Sequence, residues 1–363
     1  MQQDELDALL LASGPNLFYF TGLPHGRSGS RPYILIVTAS GETILIVHEA
    51  RHYEARRFSH VQDIHPYSGL SRAPIQEIAG ILKQRRVRRI GLELSQEHYL
   101  DLQVQDLAAL KTALGDVELA DAAALLWDLR KVKSAEETSA IAKACAITGE
   151  AYEETFAHVR SGMAETQIEV MMLSAMLARG GGSPWVLITS GSGNYDLASK
   201  GGSTREVERG DMVWMDAGCT VGGYYADFSR AGIVGGPSDR QLAAQAQVNA
   251  ITMSAVTMLR PGVQVAEVAA YCDDALARLG LPITSSVSGL AGRVGHGLGL
   301  AVTEPPSLNR ECSETLAVGM VVTIEPGVAT RYGTFHIEQD VLITETGYRV
   351  LSESPWQLRS LTP

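Results

Sequence analysis

The sequence predicts a two-domain α/β protein whose C-terminal domain contains an internal repeat. Its 363 residues, 45% of them hydrophobic, suit two domains that each bury a substantial core. Strand-like and helix-like runs alternate over residues 1–127, which is typical of an α/β domain. The third observation is a duplicated segment. Gly210 is followed six residues later by Asp216, and Gly319 by Glu325, each after an apolar run and each before x-Gly.

Residues 1–127 are predicted to form the smaller α/β domain, because β-rich runs bounded by turn residues alternate with an amphipathic helical pattern. A turn at 39–42 separates two of the runs and predicts a hairpin. Pro74 stands in the first turn of the helix, where its missing N–H costs nothing. The predicted elements are strands at 8–12, 33–37, 43–47 and 89–93 and a helix at 74–85, with a helical turn as the alternative for 8–12.

Residues 128–363 are predicted to form the larger domain, which opens with a long helix rich in Ala and Glu. Ser134 and Glu137 have the spacing of a capping box at the start of that helix. No linker or low-complexity segment separates the two domains, so the boundary is placed near Trp127. Helical patterns occupy 136–159, 165–178, 239–259 and 265–279, with a glycine-rich break at 180–184.

Five residues of the larger domain have the side chains and spacing of a metal site: Asp216, Asp227, His296, Glu325 and Glu338. Asp227 follows Asp216 by 11 residues and Glu338 follows Glu325 by 13, so each half of the repeat supplies two carboxylates. Four carboxylates held together repel one another and cannot all ionise unless cations neutralise them. Oxygen ligands with one imidazole suit Mn, Fe(II), Co or Zn, and two ions about 3.5–4 Å apart would share bridging carboxylates.

Two simpler interpretations compete with the metal site. An Asp-x-Gly or Glu-Pro-Gly taken alone is typical of a strand that ends in a turn. The paired spacing and the glycine-flanked histidine between the pairs favour the metal site instead. The segment 295–299 also resembles a dinucleotide-binding loop, but it lacks the GxGxxG spacing and the βαβ context.

Composition excludes several classes of function. The balance of 41 acidic and 30 basic residues gives a net charge of −11, which argues against a nucleic-acid partner. The four cysteines show no CxxC pairing and predict buried thiols in a reducing cytoplasm. The N-terminus lacks a basic region before an apolar core, and no stretch approaches a membrane span. A cytoplasmic protein without a membrane partner is therefore expected.

The candidate metal site resembles that of the pita-bread metallohydrolases, which include methionine aminopeptidase, aminopeptidase P, prolidase and creatinase. Upstream segments are similar to landmarks of the prolidase and creatinase branch. The resemblance implies a pita-bread catalytic domain at 128–363 and a creatinase-like N-terminal domain at 1–127. The matching segments are Asp216, 227–230, 295–297, 323–327 and 337–338 for the site, and 16–22, 129–137, 160–165 and 190–194 for the landmarks.

The resemblance also implies the cofactor and the reaction. Asp216, Asp227 and Glu338 would hold one divalent ion, and Asp227, His296, Glu325 and Glu338 the other, with Asp227 and Glu338 bridging. Manganese is the first choice of metal, with cobalt, zinc or iron as alternatives. A water between the ions would attack an amide carbonyl of a small peptide, with Glu325 as general base. The implied activity is that of an Xaa-Pro dipeptidase or aminopeptidase.

Two departures from the family leave other functions open. Its peptidases have a second histidine seven residues after the metal histidine, where this chain has Thr303, a candidate for substrate binding. A further family histidine has no counterpart around Ser199. Losing such a donor typically costs on the order of 10²–10³ in rate. The alternatives are a creatinase-like hydrolase or lyase acting on a small metabolite, and a binding protein without catalysis, against which the five ligands argue.

Four more residues are candidates near the site. On one continuous strand His336 and Glu338 would point to the same face, which makes His336 a second catalytic candidate; simple packing against the sheet is the alternative. His25, Arg27 and Arg31 lie in a basic loop of the N-terminal domain. The resemblance implies a homodimer in which such a loop binds a substrate carboxylate near the partner's active site, and a solvated loop is the alternative.

Overall fold

The computed structural model describes residues 1, 5–23, 31–95 and 97–363. They divide into two compact units, Met1–Arg130 and Lys131–Pro363. The predicted boundary near Trp127 lies three residues before this division, within the helix Ala123–Lys131. No helix of the described residues is long and apolar enough to cross a membrane.

The first unit contains a mixed six-stranded sheet with the strand order β4-β3-β2-β1-β5-β6. The β1 strand is antiparallel to β2 and parallel to β5, and all four of its residues are buried. The elements are β1 Ala8–Leu11, α1 Gly14–Thr21, β2 Ile34–Thr38, β3 Thr43–His48, α2 His52–Phe58, β4 Asp63–Tyr67, α3 Ile75–Gln84, β5 Arg89–Leu92, α4 Val104–Leu114, β6 Glu118–Asp121 and α5 Ala123–Lys131.

The predicted hairpin and helix of this unit are present. The β2 and β3 strands pair antiparallel with Val37 opposite Thr43, and α3 begins directly after Pro74. The apolar run at 8–12 is a strand and not a helical turn. The α1 and α4 helices are absent from the prediction. The eight residues of α1 are too few to show a clear helical period. Pro15 lies in the first turn of this helix, but the segment Ser13-Gly14-Pro15 reads as a turn in the sequence.

The second unit contains three sheets covered by helices. Their strand orders are β19-β10-β8-β7 with β9 beside β8, then β11-β15-β16, and then β13-β12-β14-β17-β18. The elements are α6 Ala135–His158, α7 Glu165–Ala178, β7 Gly182–Ser190, β8 Met212–Val221, β9 Tyr224–Tyr225, β10 Phe228–Val234, α8 Asp239–Met258, α9 Val265–Ala277, β11 Ile283–Ser286, α10 Val287–Ala291, β12 His296–Gly297, β13 Glu304–Ser307, β14 Val321–Ile324, β15 Gly327–Thr330, β16 Gly333–His336, β17 Gln339–Thr344, β18 Gly347–Val350 and β19 Arg359–Leu361.

The four predicted helices of this unit correspond to α6, α7, α8 and α9, and the capping box of α6 is formed. The predicted break at 180–184 is wrong in extent, because β7 already begins at Gly182. A Cβ on Gly181 would lie 2.7 Å from Cys219 Sγ, and one on Gly182 would lie 2.8 Å from Thr220 Oγ1. Gly181 and Gly182 therefore allow the backbone of their segment to approach β8 closely. Of the three glycines, only Gly180 has a positive φ, 84°, and it lies in the turn after α7.

The two halves of the predicted repeat begin with the same turn. Gly210 and Gly319 have φ of 91° and 87°, a left-handed region that favours glycine. The N–H of Gly210 donates to Val234 O at 2.8 Å, and the N–H of Gly319 donates to Ile343 O at 2.9 Å. Each turn therefore starts a strand that is paired with the end of a second strand, β8 with β10 and β14 with β17.

Glu325 and Glu338 lie where the chain passes from one sheet to another. The β14 and β17 strands pair in the five-stranded sheet, and their register ends with Ile324 opposite Gln339. The β15 and β16 strands pair in the three-stranded sheet. Glu325 stands between β14 and β15, and Glu338 between β16 and β17, so the paired strands change sheet at the same level. This double change brings the two carboxylates together.

Candidate metal centre

The first carboxylate pair is carried by β8 and the start of β10. Asp216 lies within β8, opposite Ser229 of β10, and not at the end of a strand. Asp227 immediately precedes β10, and its side chain is 3% exposed. The backbone N–H of Asp227 donates to Asp340 Oδ2 at 2.9 Å, which fixes the backbone from which the Asp227 carboxylate projects.

His296 turns one ring nitrogen toward these carboxylates. Its Nδ1 lies 2.9 Å from Gly297 O, and because a carbonyl only accepts, Nδ1 carries the proton. The Nε2 atom lies 3.4 Å from Asp227 Oδ2 and 3.5 Å from Glu325 Oε1. Thr323 orients both groups, since its Oγ1 accepts the His296 N–H at 3.0 Å and donates to Glu325 Oε1 at 3.4 Å.

His336 reaches the same centre from the sheet change before Glu338. Its Nε2 lies 3.4 Å from Glu325 Oε2, and its Nδ1 lies 2.9 Å from Ser229 Oγ. The Ser229 hydroxyl donates to the His336 carbonyl at 3.0 Å and accepts the Glu338 N–H at 3.1 Å. Because its one proton is used in this way, the Ser229 hydroxyl accepts from Nδ1–H of His336, which leaves Nε2 to face Glu325.

The prediction of one continuous strand through His336 and Glu338 is wrong, because β16 ends at His336 and β17 begins at Gln339. The chain changes sheet between them, so strand alternation does not apply to His336 and Glu338. His336 is buried nonetheless, at 3% exposed, and lies among the predicted ligands.

The donor set fits divalent metal ions. Ligand atoms of Asp227, His296 and Glu338 lie within 4.8 Å of one another, as do those of Glu325, His336 and Glu338. Among the described residues, no N–H or O–H donor contacts Asp216 Oδ1, Asp227 Oδ1 or either oxygen of Glu338, although these atoms are buried. Acceptors thus face acceptors, an arrangement that requires protons or metal cations between them. Asp216 belongs to neither group at this distance.

Three of these carboxyls hold a proton more tightly than usual. Burial raises the pKa of Asp216 to about 6, with the charge on Glu325 adding to the shift. Burial, together with repulsion from neighbouring carboxylates, raises the pKa of Asp227 and Glu338 well above their ordinary values. Since metal ligation needs the deprotonated form, divalent cations would displace these protons.

Glu325 behaves in the opposite way. Burial favours its neutral form, but the neighbouring His336, His296 and Arg293 outweigh burial and lower the pKa of the Glu325 carboxyl. Glu325 therefore loses its proton more readily than the other three carboxyls of the centre.

Buried polar groups next to the proposed ligands, Asp340 and Arg230, hold the backbone of the ligand-bearing segments. Asp340 Oδ2 accepts the thiol of Cys145 at 3.2 Å in addition to the Asp227 N–H, and burial raises the pKa of Asp340 to about 7. The Arg230 guanidinium is 2% exposed and donates to the carbonyls of Ser229 and Glu338 at 2.8 and 2.9 Å. These contacts hold the backbone of both ligand-bearing segments.

The centre opens into a cleft of about 640 Å³. Thr303, Ser199 and Arg293 line it, and Arg293 Nη2 donates to Thr303 Oγ1 at 3.2 Å. Thr303 and the stretch around Ser199, where the family resemblance implies histidines that this chain lacks, therefore face the cleft. The other lining residues are Trp185, Leu187, Asp196, Leu197, Ala198, Lys200, Trp214, Val287, Leu290, Ala291 and Val302, together with the six residues of the centre.

The remaining substrate-binding candidates are not placed at the cleft. His25 and Arg27 lie outside the described residues. Arg31 belongs to the first unit, where its charge lowers the pKa of Tyr67 against the larger raising effect of burial. The predicted roles of all three stay predictions.

Sequence reasoning missed several residues of the site. Asp340 lies two residues after Glu338 and directly before the apolar run 341–343, and a carboxylate beside such a run is a signal that the sequence carries. Arg230 and Thr323 lie inside quoted motifs, yet nothing local indicates that they hold backbone carbonyls or orient a ligand. Arg293 has no signal, because its position depends on how α10 meets β12.

Comparison with known proteins follows the same two units. Residues 139–345 match Metallopeptidase family M24, and residues 1–132 match the Creatinase/Prolidase N-terminal domain. The chain is 27% identical to the Xaa-Pro dipeptidase of Pyrococcus horikoshii over 360 residues, 99% of this chain and 96% of that protein. It is 28% identical to the uncharacterized peptidase YqhT of Bacillus subtilis over 359 residues, 97% and 95% of the two chains. The crystal structure of the prolidase from Pyrococcus horikoshii OT3 matches with a TM-score of 0.86 and 26% identity, covering 99% of this chain and 97% of that one.

Proposed function

The chain belongs to metallopeptidase family M24, and on that premise we propose that it is a dinuclear metal-dependent hydrolase of the Xaa-Pro dipeptidase type. Its substrate would be a small peptide with proline after the scissile bond. The observation that carries the proposal is the buried cluster of His and carboxylate ligand atoms, in which four oxygens of Asp216, Asp227 and Glu338 contact no N–H or O–H donor of the described residues.

The proposed ligands divide between two ions. Asp216, Asp227 and Glu338 would hold one, and Asp227, His296, Glu325 and Glu338 the other. Manganese is the proposed metal, because four carboxylates and one imidazole form a predominantly hard, oxygen-rich set. Divalent ions, when bound, polarise an amide carbonyl and lower the pKa of a coordinated water.

The protein groups around the ions would orient the substrate and move protons. Glu325 is the proposed proton acceptor, supported by its lowered pKa and by its place between His296 and His336. Ser229 would hold the His336 ring in one orientation through Nδ1. Thr303 and Arg293 would contact the part of the substrate that extends along the cleft.

Metal analysis combined with an assay of Xaa-Pro dipeptides tests the proposal. The purified protein should bind close to two transition-metal ions per chain, as two-metal hydrolases do. Asp227→Ala should remove most of both ions and the activity, because a bridging ligand serves each ion. Asp106→Asn changes a buried carboxylate of the first unit and is the matched control, which should leave metal content unchanged. Activity of a metal-free protein would contradict the proposal.

A second candidate function is hydrolysis of a non-peptide C–N bond in a small metabolite. It is supported by the cleft wall, where Thr303 and Ser199 stand in place of the histidines of family peptidases. The same metal-loaded protein should be assayed with small amidines and cyclic amides. Turnover of these compounds in the absence of dipeptide cleavage would favour the second function.

Cellular context is also a proposal. A cytoplasmic location is supported by four cysteines that form no disulfide. A homodimer is proposed from the resemblance to the prolidase and creatinase branch, and analytical ultracentrifugation of the full chain tests it. A monomer at micromolar concentration would contradict that part of the proposal.

A further inference from the structure

Two sequence landmarks of the second unit take no part in the metal centre, yet they meet each other. The segment 160–165 ends at Glu165, and the segment 190–194 begins at Ser190. The Glu165 side chain is 0% exposed, and the Ser190 hydroxyl donates to its Oε1 at 2.7 Å. A fully buried carboxylate is costly unless cations or donors compensate it, so its partners indicate what it holds.

Those partners belong to the loop that follows β7, residues 191–205. Lys200 Nζ lies 2.5 Å from Glu165 Oε2, and the hydroxyl and N–H of Ser203 donate to the same oxygen at 2.6 and 3.1 Å. Lys200 also donates to Ile188 O of β7 at 3.0 Å. One buried carboxylate thus ties Lys200 and Ser203 of the loop to the end of β7.

The backbone reinforces this connection at the start of α7. The N–H groups of Glu165 and Thr166 donate to the carbonyls of Arg205 and Ser203 at 2.9 and 3.0 Å, so the loop satisfies N–H groups that a helix start leaves unpaired. A Cβ on Gly202 would lie 2.9 Å from the Glu165 carbonyl, so only glycine allows this approach. The acidic side chain at the first helical position also suits the helix dipole.

The loop held in this way forms one wall of the cleft. Its middle, residues 196–200, lines the cleft together with Trp185 and Leu187 of β7. Leu187 lies opposite Asp216 in the sheet, so the wall and the metal centre share a rigid strand pair. Lys200 serves both roles, since its side chain lines the cleft and its ammonium is bound to Glu165.

We propose that Glu165 is a positioning residue that holds the loop 191–205 through Lys200 and Ser203 and thereby sets the substrate-binding wall of the cleft. The proposal rests on the proposed peptidase function for its kinetic consequence. Glu165 contacts neither the proposed ligands nor the reacting atoms. Its loss should therefore weaken substrate binding while metal binding and the chemical step are retained.

Glu165→Gln and Ser203→Ala test this with steady-state kinetics on an Xaa-Pro dipeptide. Glu165→Gln keeps the size but leaves Lys200 without its charged partner, and KM should rise about tenfold, as expected for loss of a charge-assisted hydrogen bond. Ser203→Ala removes one donor and should raise KM about threefold. In both variants kcat and metal content should stay close to wild type. Asp106→Asn, with its buried carboxylate in the first unit, should leave KM unchanged.

Hydrogen exchange of the same variants distinguishes this proposal from the proposed function. Glu165→Gln should speed exchange at Ser203 and across 196–200, with β8 unchanged. If the wild type cleaves no dipeptide, the proposed function fails, and faster exchange would still support the loop-holding role. If KM is unchanged in an active, folded Glu165→Gln variant, or if kcat and metal fall while KM stays constant, the proposal is overturned. Unchanged exchange in an inactive protein overturns it as well.

Discussion

Removal of metal should make the protein less stable as pH rises, because the carboxyls of the centre then depend on protons. Burial raises the pKa of Asp340 from 3.8 to about 7 and that of Asp216 from 3.8 to about 6. The folded state therefore binds these protons more tightly than the unfolded state. Stability is greatest below the ordinary pKa and is lost as pH rises through the folded-state pKa.

The size of the effect follows from the two pKa values. Between about pH 5.5 and 7.5, the Asp340 shift contributes a loss of about 2 kcal/mol in the free energy of unfolding. The Asp216 shift contributes about 1 kcal/mol over the same interval. The lowered pKa of Glu325 acts in the opposite direction, but only near and below its ordinary value of 4.5. The raised pKa values of Asp227 and Glu338 act in the same direction as those of Asp340 and Asp216, so a total loss of at least about 3 kcal/mol is expected.

Urea unfolding of the chelated protein at the two pH values measures this loss. Re-addition of Mn²⁺ should stabilise the protein more at the higher pH, since the ligands are deprotonated there and only the folded state offers the site. Asp340→Asn is the matched variant. It retains an oxygen that accepts the Asp227 N–H but does not titrate, so the pH-dependent loss should shrink by about 2 kcal/mol.

Two results would refute this reasoning. An unfolding free energy of the metal-free protein that is equal or higher at the upper pH would show that the buried carboxyls do not retain their protons. A full pH dependence in Asp340→Asn would show that another group titrates. The general repulsion expected from a net charge of −11 is common to both proteins and cancels in their comparison.

Three further predictions concern single side chains. Arg230→Met should lower the unfolding free energy by about 3–5 kcal/mol in urea titrations, because it strips buried carbonyls of a charged donor; a loss below about 1 kcal/mol would contradict that role. Thr303→His should raise Xaa-Pro dipeptidase activity, by up to about tenfold if one oxyanion donor is restored, and unchanged kcat/KM would show that the absence of a histidine at position 303 does not limit this activity. His336→Ala should lower kcat about a hundredfold while metal content, measured by mass spectrometry, falls less; normal turnover would reduce His336 to a packing role.

The proposed ligands could be identified from sequence because each stands in a short motif that sets its own backbone. Gly210 and Gly319 start the two related strands, and the spacing from each glycine to its carboxylate is the same. Helix signals were equally local. The capping box of Ser134 and Glu137 predicts the start of α6, and it is formed.

The supporting groups could not be identified because their partners are distant in sequence. Cys145 and Asp340 are 195 positions apart, and their contact depends on how α6 packs against β17. Arg230 reaches carbonyl groups more than 100 positions away. His336 was predicted from strand alternation, which is a local rule. A change of sheet between β16 and β17 brings His336 to the centre instead, and no local sequence pattern indicates that change.

The paired change of sheet at Glu325 and Glu338 restricts where the chain tolerates a change in length. An added residue in β14, β15, β16 or β17 would shift one carboxylate against the other by about 3.3 Å, a full strand step. That shift exceeds the metal–oxygen bond length of about 2 Å. Such an insertion would therefore prevent the two carboxylates from binding the same metal ion, although every ligand residue is still present. Arg331 and Tyr332, at the tip between β15 and β16, lie beyond both registers. Extra residues at this tip would leave both strand pairings in place, so the spacing of the two carboxylates should not change.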